Sequence, residues 1–244
     1  MKTRADVAVV EQGLAPTRAR AQALILAGRV FWGERRVEKA GFQLPADATL
    51  RLQGVERFVS RGGLKLEGAL DAMGLDPRGR VAVDVGASTG GFTDCLLQRG
   101  AVRVFAVDVG HGQLAEKLRS DPRVVVMERT NARHLTRESF AQPIDLVVVD
   151  ASFISLDKLV DAIAEFTSEQ SLLLALVKPQ FEAGRSEATR GKGVIRDPAT
   201  REAAITRARS AIERAGFTIE QECDSKVHGP KGNVERFVLA RRRG

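Results

Sequence analysis

Two charged residues stand where long apolar runs of the sequence end. Asp150 closes the segment IDLVVVD, and Lys178 closes LLLALVK directly before Pro179. Proline has no backbone N–H and cannot continue a strand ladder, so the second run is predicted to be a buried strand that stops at the lysine. In open α/β sheets, ligands bind beyond the carboxyl ends of the strands. We therefore predict that Asp150 and the Lys178 amine face a common site; the alternative is a solvated strand end.

A glycine-rich segment, VDVGASTGGFTD (83–94), follows another apolar run and opens a predicted helix. Its glycines permit a tight turn and a close approach of a ligand to the backbone. Asp108 ends the next strand about 20 residues further on, where a carboxylate can bond ribose hydroxyls. The spacing is not GxGxxG, and Asp84 would repel a phosphate, which argues against a pyrophosphate ligand. The pattern favours a cationic cofactor such as S-adenosylmethionine over a dinucleotide or no cofactor.

The residues predicted to contact this cofactor lie on the glycine-rich loop and at neighbouring strand ends. Asn131, after the third strand, is expected near the adenine. The full set is Asp84, Gly86, Ala87, Ser88, Gly90, Gly91, Phe92, Asp108, Asn131 and Asp150. The 3 histidines and 2 cysteines have no metal-ligand spacing, which predicts no metal site and a reduced, cytoplasmic protein.

Strands and helices alternate in the region that must position these residues. The predicted strands are 81–86, 102–108, 124–127, 144–150, 172–178, 217–223 and 235–241, and the predicted helices are 64–74, 92–99, 112–119, 156–166 and 198–215. The first five strands are apolar on both faces, which is typical of a sheet covered by helices. The expected fold class is therefore α/β, with a seven-stranded, mostly parallel Rossmann-like sheet of the S-adenosylmethionine-dependent methyltransferase type.

Residues 1–55 are predicted to form a small α+β domain, joined by a linker at 56–63 to the domain at 64–244. A segment of this size buries only a small core, which indicates an appended module. Within it, Thr17 is a predicted N-cap of a helix. Arg18 and Arg20 follow in the first turn, where the helix dipole disfavours cations. An anion that offsets this cost is therefore expected nearby.

The charge distribution favours a polyanionic partner. The chain has 38 Lys and Arg residues against 31 Asp and Glu residues, a formal net charge of +7. The basic excess lies in residues 1–65 and 185–244, which indicates nucleic acid rather than ordinary solvated charge. The basic, glycine-rich segment 184–197 is interpreted as a loop that orders on RNA, with a disordered surface loop as the alternative. The candidate RNA contacts are Arg4, Arg18, Arg20, Arg61, Arg185, Arg190, Lys192 and Arg196.

Several motifs together resemble one protein family. SRGGLKL, DVGASTGGF, VVVDASFISL, LVKPQFEAG and GNVERF are similar to the TlyA family, ribosomal-RNA 2′-O-methyltransferases related to the FtsJ type and once called hemolysins. The resemblance implies a catalytic tetrad at Lys65, Asp150, Lys178 and Glu235. It also implies that residues 1–55 are an αL-type RNA-binding module, as in a ribosomal small-subunit protein and in pseudouridine synthases. The implied target is a cytidine 2′-OH in large-subunit RNA, with a small-subunit site as a second candidate.

Methyl transfer to a ribose hydroxyl requires alignment of the oxygen with the methyl group and assistance to loss of the hydroxyl proton. Lys178 is the candidate for bonding that hydroxyl, either as a base or as a cation that stabilises negative charge on the oxygen. The sequence leaves both roles open. Ser152 and Phe153 are candidates for shaping the base pocket.

Other functions leave sequence marks that differ from these. Methylation of base amino groups commonly uses an Asn/Asp-Pro-Pro-Tyr-like turn, whereas this chain reads DASF after the fourth strand. Cytosine C5 methylation needs a thiol near the strand ends, and neither Cys95 nor Cys223 is there. The alternative function is a non-catalytic RNA-binding ribosome-assembly factor. A membrane-lytic role lacks an apolar run of about 20 residues, and a monomer without membrane attachment is expected.

Overall fold

The computed structural model describes residues 2–54, 57–152, 154–182, 194–229 and 232–244. The chain divides into two compact units, Met1–Glu56 and Arg57–Gly244. Each has its own hydrophobic core, a single cluster in the first unit and two clusters in the second. None of the helices in the described ranges combines the length and the apolar character needed to cross a membrane.

The first unit contains two helices and two small antiparallel sheets. In chain order its elements are β1 (Lys2–Arg4), α1 (Ala5–Glu11), α2 (Arg18–Leu26), β2 (Val30–Trp32), β3 (Arg35–Arg36), β4 (Gln43–Pro45) and β5 (Leu50–Leu52). Strand β1 pairs with β4, and β2 lies between β3 and β5. The Thr17 side chain accepts a hydrogen bond from the Arg20 N–H at 3.2 Å, so the predicted N-cap of α2 is confirmed. The β1–β4 pair was not predicted.

A buried carboxylate supplies the anion expected near the first turn of α2. Asp6 is fully buried and accepts hydrogen bonds from Arg4, from Arg18 at 2.8 Å and from Gln22 at 2.9 Å. These donors, Arg4 first, hold the pKa of Asp6 well below its usual range. Arg4 and Arg18, both candidate RNA contacts, therefore already have a partner within the protein, although each side chain remains about half exposed.

The second unit is built on one seven-stranded sheet. Its strands are β6 (Val81–Val85), β7 (Arg103–Val107), β8 (Val124–Met127), β9 (Leu146–Val149), β10 (Leu172–Val177), β11 (Phe217–Asp224) and β12 (Arg236–Arg242). The strand order is β11-β12-β10-β9-β6-β7-β8. Strand β12 is antiparallel to both neighbours, and the other pairs are parallel. The predicted seven-stranded, mostly parallel sheet is confirmed.

Helices cover both faces of this sheet. They are α3 (Gly62–Met73), α4 (Gly91–Gln98), α5 (Glu116–Arg119), α6 (Val160–Phe166), α7 (Pro179–Glu182) and α8 (Pro198–Arg214). Two predicted helices are shorter than expected. Residues 112–115 stay outside α5, because Glu128 accepts the Gln113 N–H at 3.3 Å and holds that segment as a loop. The predicted helix 156–166 begins instead with a 3-10 turn at Leu156–Lys158.

Strand alternation places the charged strand-end residues on one face of the sheet. Ala82, Val148, Leu176 and Phe237 all belong to the hydrophobic cluster that includes residues of α3 and α4. Side chains two residues apart on a strand point to the same face. The residues two positions beyond these four are, in the same order, Asp84, Asp150, Lys178 and Glu235. All four are therefore directed toward the face that α3 and α4 cover.

Candidate active site

Lys178 and Asp150 form an ion pair at the carboxyl ends of β10 and β9. The lysine follows the last residue of β10, and Pro179 then begins α7. Lys178 Nζ lies 2.6 Å from Asp150 Oδ1 and donates hydrogen bonds to the Asp150 main-chain oxygen at 3.2 Å and to Ser152 Oγ at 2.8 Å. The lysine side chain is 9% exposed and that of Asp150 is 22% exposed. The pair is thus mostly shielded but open to a substrate on one side.

A second ion pair lies beside the first. Lys65 extends from α3, and its Nζ donates to Glu235 Oε2 at 2.6 Å. Glu235 is fully buried, and its other carboxylate oxygen has no hydrogen-bond partner within the described part of the chain. The antiparallel register pairs Val177 with Arg236 at the end of the β10–β12 ladder. Lys178 and Glu235, the next residues on the two strands, therefore lie opposite each other. The structure thus brings the four proposed catalytic residues together as two lysine–carboxylate pairs.

The glycine-rich loop packs against the backbone that follows β9. Gly86 has a positive φ of 86°, and a Cβ atom there would lie 3.0 Å from the Asp150 main-chain oxygen. Gly91 lies close to Gly63 of α3, whose nitrogen would be 2.9 Å from an added Cβ. The Ser88 N–H donates to Asp108 Oδ2 at 2.8 Å, which ties the loop to the end of β7. These contacts leave no room for side chains at the two glycines.

A cavity of about 450 Å³ opens between this loop and the ends of β7 and β9. Its volume is in the range of small-molecule and cofactor sites. Predicted cofactor residues on its wall are Gly86, Ser88, Asp108, Asn131 and Asp150. Asn131 also accepts the Arg133 N–H at 3.1 Å, which fixes its position at the start of a 3-10 turn.

Other predicted cofactor residues lie behind the cavity wall. The Phe92 side chain is buried in the core and stacks on Phe237, with ring centroids 6.1 Å apart. Its predicted role as a cofactor contact is therefore not supported for the side chain, because an aromatic ring on the inner face of α4 packs more favourably against the sheet than in an open cavity. Ala87 and Gly91 are buried, and Gly90, with φ 96°, turns the chain into α4.

Asp84 is fully buried at the end of β6. Its Oδ2 accepts hydrogen bonds from the Thr93 N–H at 2.9 Å and from Thr93 Oγ1 at 2.7 Å, while Oδ1 has no partner among the described residues. Burial, with a further contribution from the Asp150 and Asp108 carboxylates, raises the pKa of Asp84 to about 7. A buried carboxyl with one unpartnered oxygen is suited to a nearby cationic group.

This raised pKa predicts a stability that decreases as the pH rises. Between pH values near 4 and 7, the folded chain retains a proton on Asp84 that the unfolded chain has released. The stabilisation is complete at the low end of this window and is lost as the pH passes the folded pKa of about 7. We expect Asp84→Asn to remove a slope of up to about 1.4 kcal/mol per pH unit from the free energy of unfolding. Urea titrations of both proteins across this range measure it, and equal slopes would contradict the assignment.

The close packing of Gly86 predicts a second measurable effect. Gly86→Ala is expected to destabilise the fold by about 2–4 kcal/mol, because it adds a clash with the Asp150 backbone to the cost of a positive φ. Gly79→Ala is a matched control, since Gly79 has φ 74° but no atom within 4 Å of an added Cβ. That control should cost about 1–2 kcal/mol. Equal losses in the two variants, measured by urea unfolding, would show that the close approach has no energetic weight.

The predicted RNA contacts fall into three groups. Arg20, Arg61 and Arg196 have exposed side chains, whereas Arg4 and Arg18 pair with Asp6. The third group, Arg185, Arg190 and Lys192, lies outside the described residues. Phe153, a candidate for shaping the base pocket, also lies outside them.

Three residues of this region were missed by the sequence reasoning. Thr93 bonds Asp84, Gln113 lies on the cavity wall and accepts from Ser88 Oγ at 3.3 Å, and Gly229 packs directly on the Glu235 carboxylate. A hydroxyl in the first turn of the helix after Asp84 was an available signal for Thr93. Gln113 and Gly229 depend on tertiary contacts that no local pattern reveals.

The sheet, the glycine-rich loop and the charged strand ends define the fold of S-adenosylmethionine-dependent methyltransferases. A solved structure from Listeria monocytogenes, described as an S-adenosylmethionine dependent methyltransferase, shares this fold, with a TM-score of 0.56 at 14% identity over 76% of this chain and 100% of the other. The family model described as "FtsJ-like methyltransferase" matches residues 58–243, and the S4 domain model matches residues 3–50. The chain belongs to the TlyA family of FtsJ-like methyltransferases, as its motifs predicted.

Its similarity to individual members extends over both units. The 16S/23S rRNA (cytidine-2′-O)-methyltransferase TlyA of Mycobacterium tuberculosis is 43% identical over 98% of this chain and 90% of its own length. A solved structure of a Streptococcus thermophilus protein described as a hemolysin has 39% identity and a TM-score of 0.75, covering 99% of this chain and 89% of that one.

Proposed function

We propose that this chain transfers a methyl group from S-adenosylmethionine to the ribose 2′-OH of a cytidine in ribosomal RNA, in the large subunit and with a small-subunit site as a second target. The observation that carries the proposal is the pair of lysine–carboxylate contacts beside the 450 Å³ cavity. The name of the Mycobacterium tuberculosis relative, a 16S/23S rRNA (cytidine-2′-O)-methyltransferase, supports this substrate and position.

The residues around the cavity fit S-adenosylmethionine. Its amino group and sulfur are cationic, and the Asp150 carboxylate provides negative charge at this end of the sheet, where a bound cation would also favour the ionised form of Asp84. Asp108 accepts two backbone N–H bonds, from Ser88 and Gly110, and retains lone pairs for ribose hydroxyls. Asn131 is proposed to lie near the adenine, and Gly86 allows close approach to the backbone. When bound, the cofactor supplies a methyl group on a positively charged sulfur.

The protein groups would then act on the target hydroxyl. Lys178 is proposed to hold the 2′-oxygen in line with the methyl group and to assist loss of the hydroxyl proton, as a base or as a stabilising cation. Asp150 orients the amine by its ion pair at 2.6 Å and its main-chain oxygen at 3.2 Å. Lys65 and Glu235 form the neighbouring pair that sets the charge around Lys178.

Binding of the RNA is proposed to use basic side chains of both units. Residues 3–50 match the S4 domain, and Arg20 in this unit is exposed, as are Arg61 and Arg196 in the second unit. Arginines that contact phosphates release counterions, so the affinity should fall steeply with salt. We also propose that the protein acts in the cytoplasm, where bacteria such as those of its relatives hold their ribosomal RNA. It is proposed to act there as a monomer.

The proposal is tested by labelled-methyl transfer to purified 30S and 50S subunits from a strain that lacks this modification. We expect incorporation into ribosomal RNA, and mapping of the labelled position should find a 2′-O-methylcytidine. The alternative, a non-catalytic assembly factor, predicts subunit binding without incorporation. Saturating S-adenosylhomocysteine, the demethylated product, provides the blank for each subunit.

A further inference from the structure

The side chain of Lys178 makes three oxygen contacts, and they differ in how easily they can be replaced. Asp150 Oδ1 lies 2.6 Å from Nζ as an ion pair. The two hydrogen bonds from Nζ go to the Asp150 main-chain oxygen and to Ser152 Oγ. An ammonium group has three donors, and a neutral amine has two donors and one lone pair. Oxygens at 2.6, 2.8 and 3.2 Å occupy the three positions around Nζ that its own side-chain carbon leaves, so a substrate hydroxyl at bonding distance must take the place of one of them.

Two of the three oxygens are held in place. The Asp150 N–H donates to the Val85 carbonyl at 3.0 Å, and the backbone of residues 150–151 packs against Gly86. The main-chain oxygen therefore cannot move away without disturbing the end of β9. Displacing the Asp150 carboxylate would separate a mostly shielded ion pair, which is costly.

The Ser152 hydroxyl is the partner of Lys178 that a substrate can displace most easily. Its residue is exposed, and it lies on the wall of the same cavity as Asp108 and Asn131. A serine hydroxyl rotates about one side-chain torsion, and its neutral hydrogen bond has a net worth of only about 1 kcal/mol. Lys178 is itself only 9% exposed, so Ser152 is the exposed residue among its hydrogen-bond partners.

We infer that the Ser152 hydroxyl occupies the position of the target ribose hydroxyl before RNA binds. On binding, the 2′-oxygen replaces Ser152 Oγ as the hydrogen-bond partner of Lys178 Nζ, and the serine rotates aside. Ser152 is then a positioning residue that keeps the amine directed at the cavity while the substrate is absent. This inference rests on the proposed function and adds a residue outside the two lysine–carboxylate pairs.

The inference predicts opposite effects for two substitutions at the same position. Ser152→Ala removes the competing hydroxyl, so the apparent KM for unmodified subunits should fall by about 2- to 10-fold with kcat little changed. Ser152→Asp supplies a charged competitor that bonds Lys178 more strongly, so the same KM should rise by about tenfold or more. Because Ser152 also lines the cavity, the affinity of Ser152→Ala for S-adenosylhomocysteine is measured by calorimetry without RNA, and it should change less than KM.

Ser155 provides matched controls in the same segment. Its hydroxyl bonds Asp157 rather than Lys178, so Ser155→Ala should leave KM and kcat unchanged. Ser155→Asp adds the same charge as Ser152→Asp without a contact to the amine, and it measures simple repulsion of RNA.

The outcomes separate the two proposals. Opposite changes of KM at Ser152, with smaller changes at Ser155, support the inference. If wild-type protein methylates the subunits and both Ser152 variants lose kcat in parallel, or Ser152→Ala leaves KM unchanged, the inference is overturned and the proposed function stands. A wild-type protein that binds subunits without methylating them overturns the proposed function itself, and the inference with it.

Discussion

Lys178→Ala is expected to lower methyl transfer to ribosomal subunits by at least about 10³-fold while S-adenosylmethionine still binds. The loss follows because the variant has no side-chain group that can orient the target hydroxyl or assist loss of its proton, and such assistance alone accounts for factors of about 10²–10⁴. Cofactor binding should survive, because Lys178 is not on the wall of the 450 Å³ cavity, which Asp150 and Asp108 line. Single-turnover methylation and calorimetric cofactor binding measure the two properties separately.

Two further variants define what the amine contributes. Lys158→Ala removes an exposed lysine from the 3-10 turn that follows β9 and should leave turnover unchanged. Lys178→Arg keeps the positive charge but replaces a compact ammonium with a planar fork that does not lose its proton. If the arginine variant retains substantial activity, the cationic role is favoured, and if it is as inactive as alanine, the base role is favoured. Near-normal turnover in Lys178→Ala would remove Lys178 from the proposed mechanism altogether.

The position of Lys178 was predictable because local rules determine it. Six apolar residues form a buried strand, Pro179 ends it, and the end of a parallel strand faces the ligand crevice. Its bond to Ser152 was not predictable in the same way. That contact depends on the register that pairs Leu174 of β10 with Val148 of β9, which brings residues 26 positions apart into contact.

The second ion pair shows a different limit. Lys65 and Glu235 are 170 residues apart, and each alone has the appearance of a surface charge. No periodicity joins them, so the sequence could place them together only through the family resemblance. Their membership in one buried pair follows from the packing of α3 on the sheet and from the antiparallel insertion of β12.

Tertiary contacts supply partners that a local pattern cannot name. Phe92 follows the glycines of the loop, but the inward face of α4 directs its ring to Phe237. The arginines at the start of α2 predicted a nearby anion, and Asp6 of the same unit provides it to Arg18. In both cases the partner lies within the same unit of the chain.

The two lysine–carboxylate pairs differ in burial, and this difference separates their expected contributions. The Asp150 side chain is 22% exposed, so water can partly solvate its charge when Lys178 is removed. The Glu235 side chain has no exposure: Lys65 contacts its Oε2, and Gly229 packs closest to its Oε1. The first pair is therefore placed for contact with a substrate, and the second is placed to control stability and local charge.

Lys65→Met is accordingly expected to reduce the free energy of unfolding by about 3–5 kcal/mol, because it leaves the buried Glu235 carboxylate without its counterion. The double variant Lys65→Met/Glu235→Leu removes both charges and should recover most of this loss. Glu220→Gln is the control for a partly exposed pair on the same sheet, with Arg241, and should cost less than about 1 kcal/mol. Urea unfolding of the four proteins at one pH gives these differences.

Activity in the same set of variants distinguishes support of the fold from a part in the reaction. If the Lys65–Glu235 pair tunes the charge around Lys178, the double variant should be nearly as stable as the wild type yet at least about tenfold slower in methyl transfer. Recovery of both stability and turnover would assign the pair a structural role alone. A single Lys65→Met variant that unfolds no more easily than the wild type would contradict the buried ion pair itself, since an unpaired carboxylate in that position cannot be without cost.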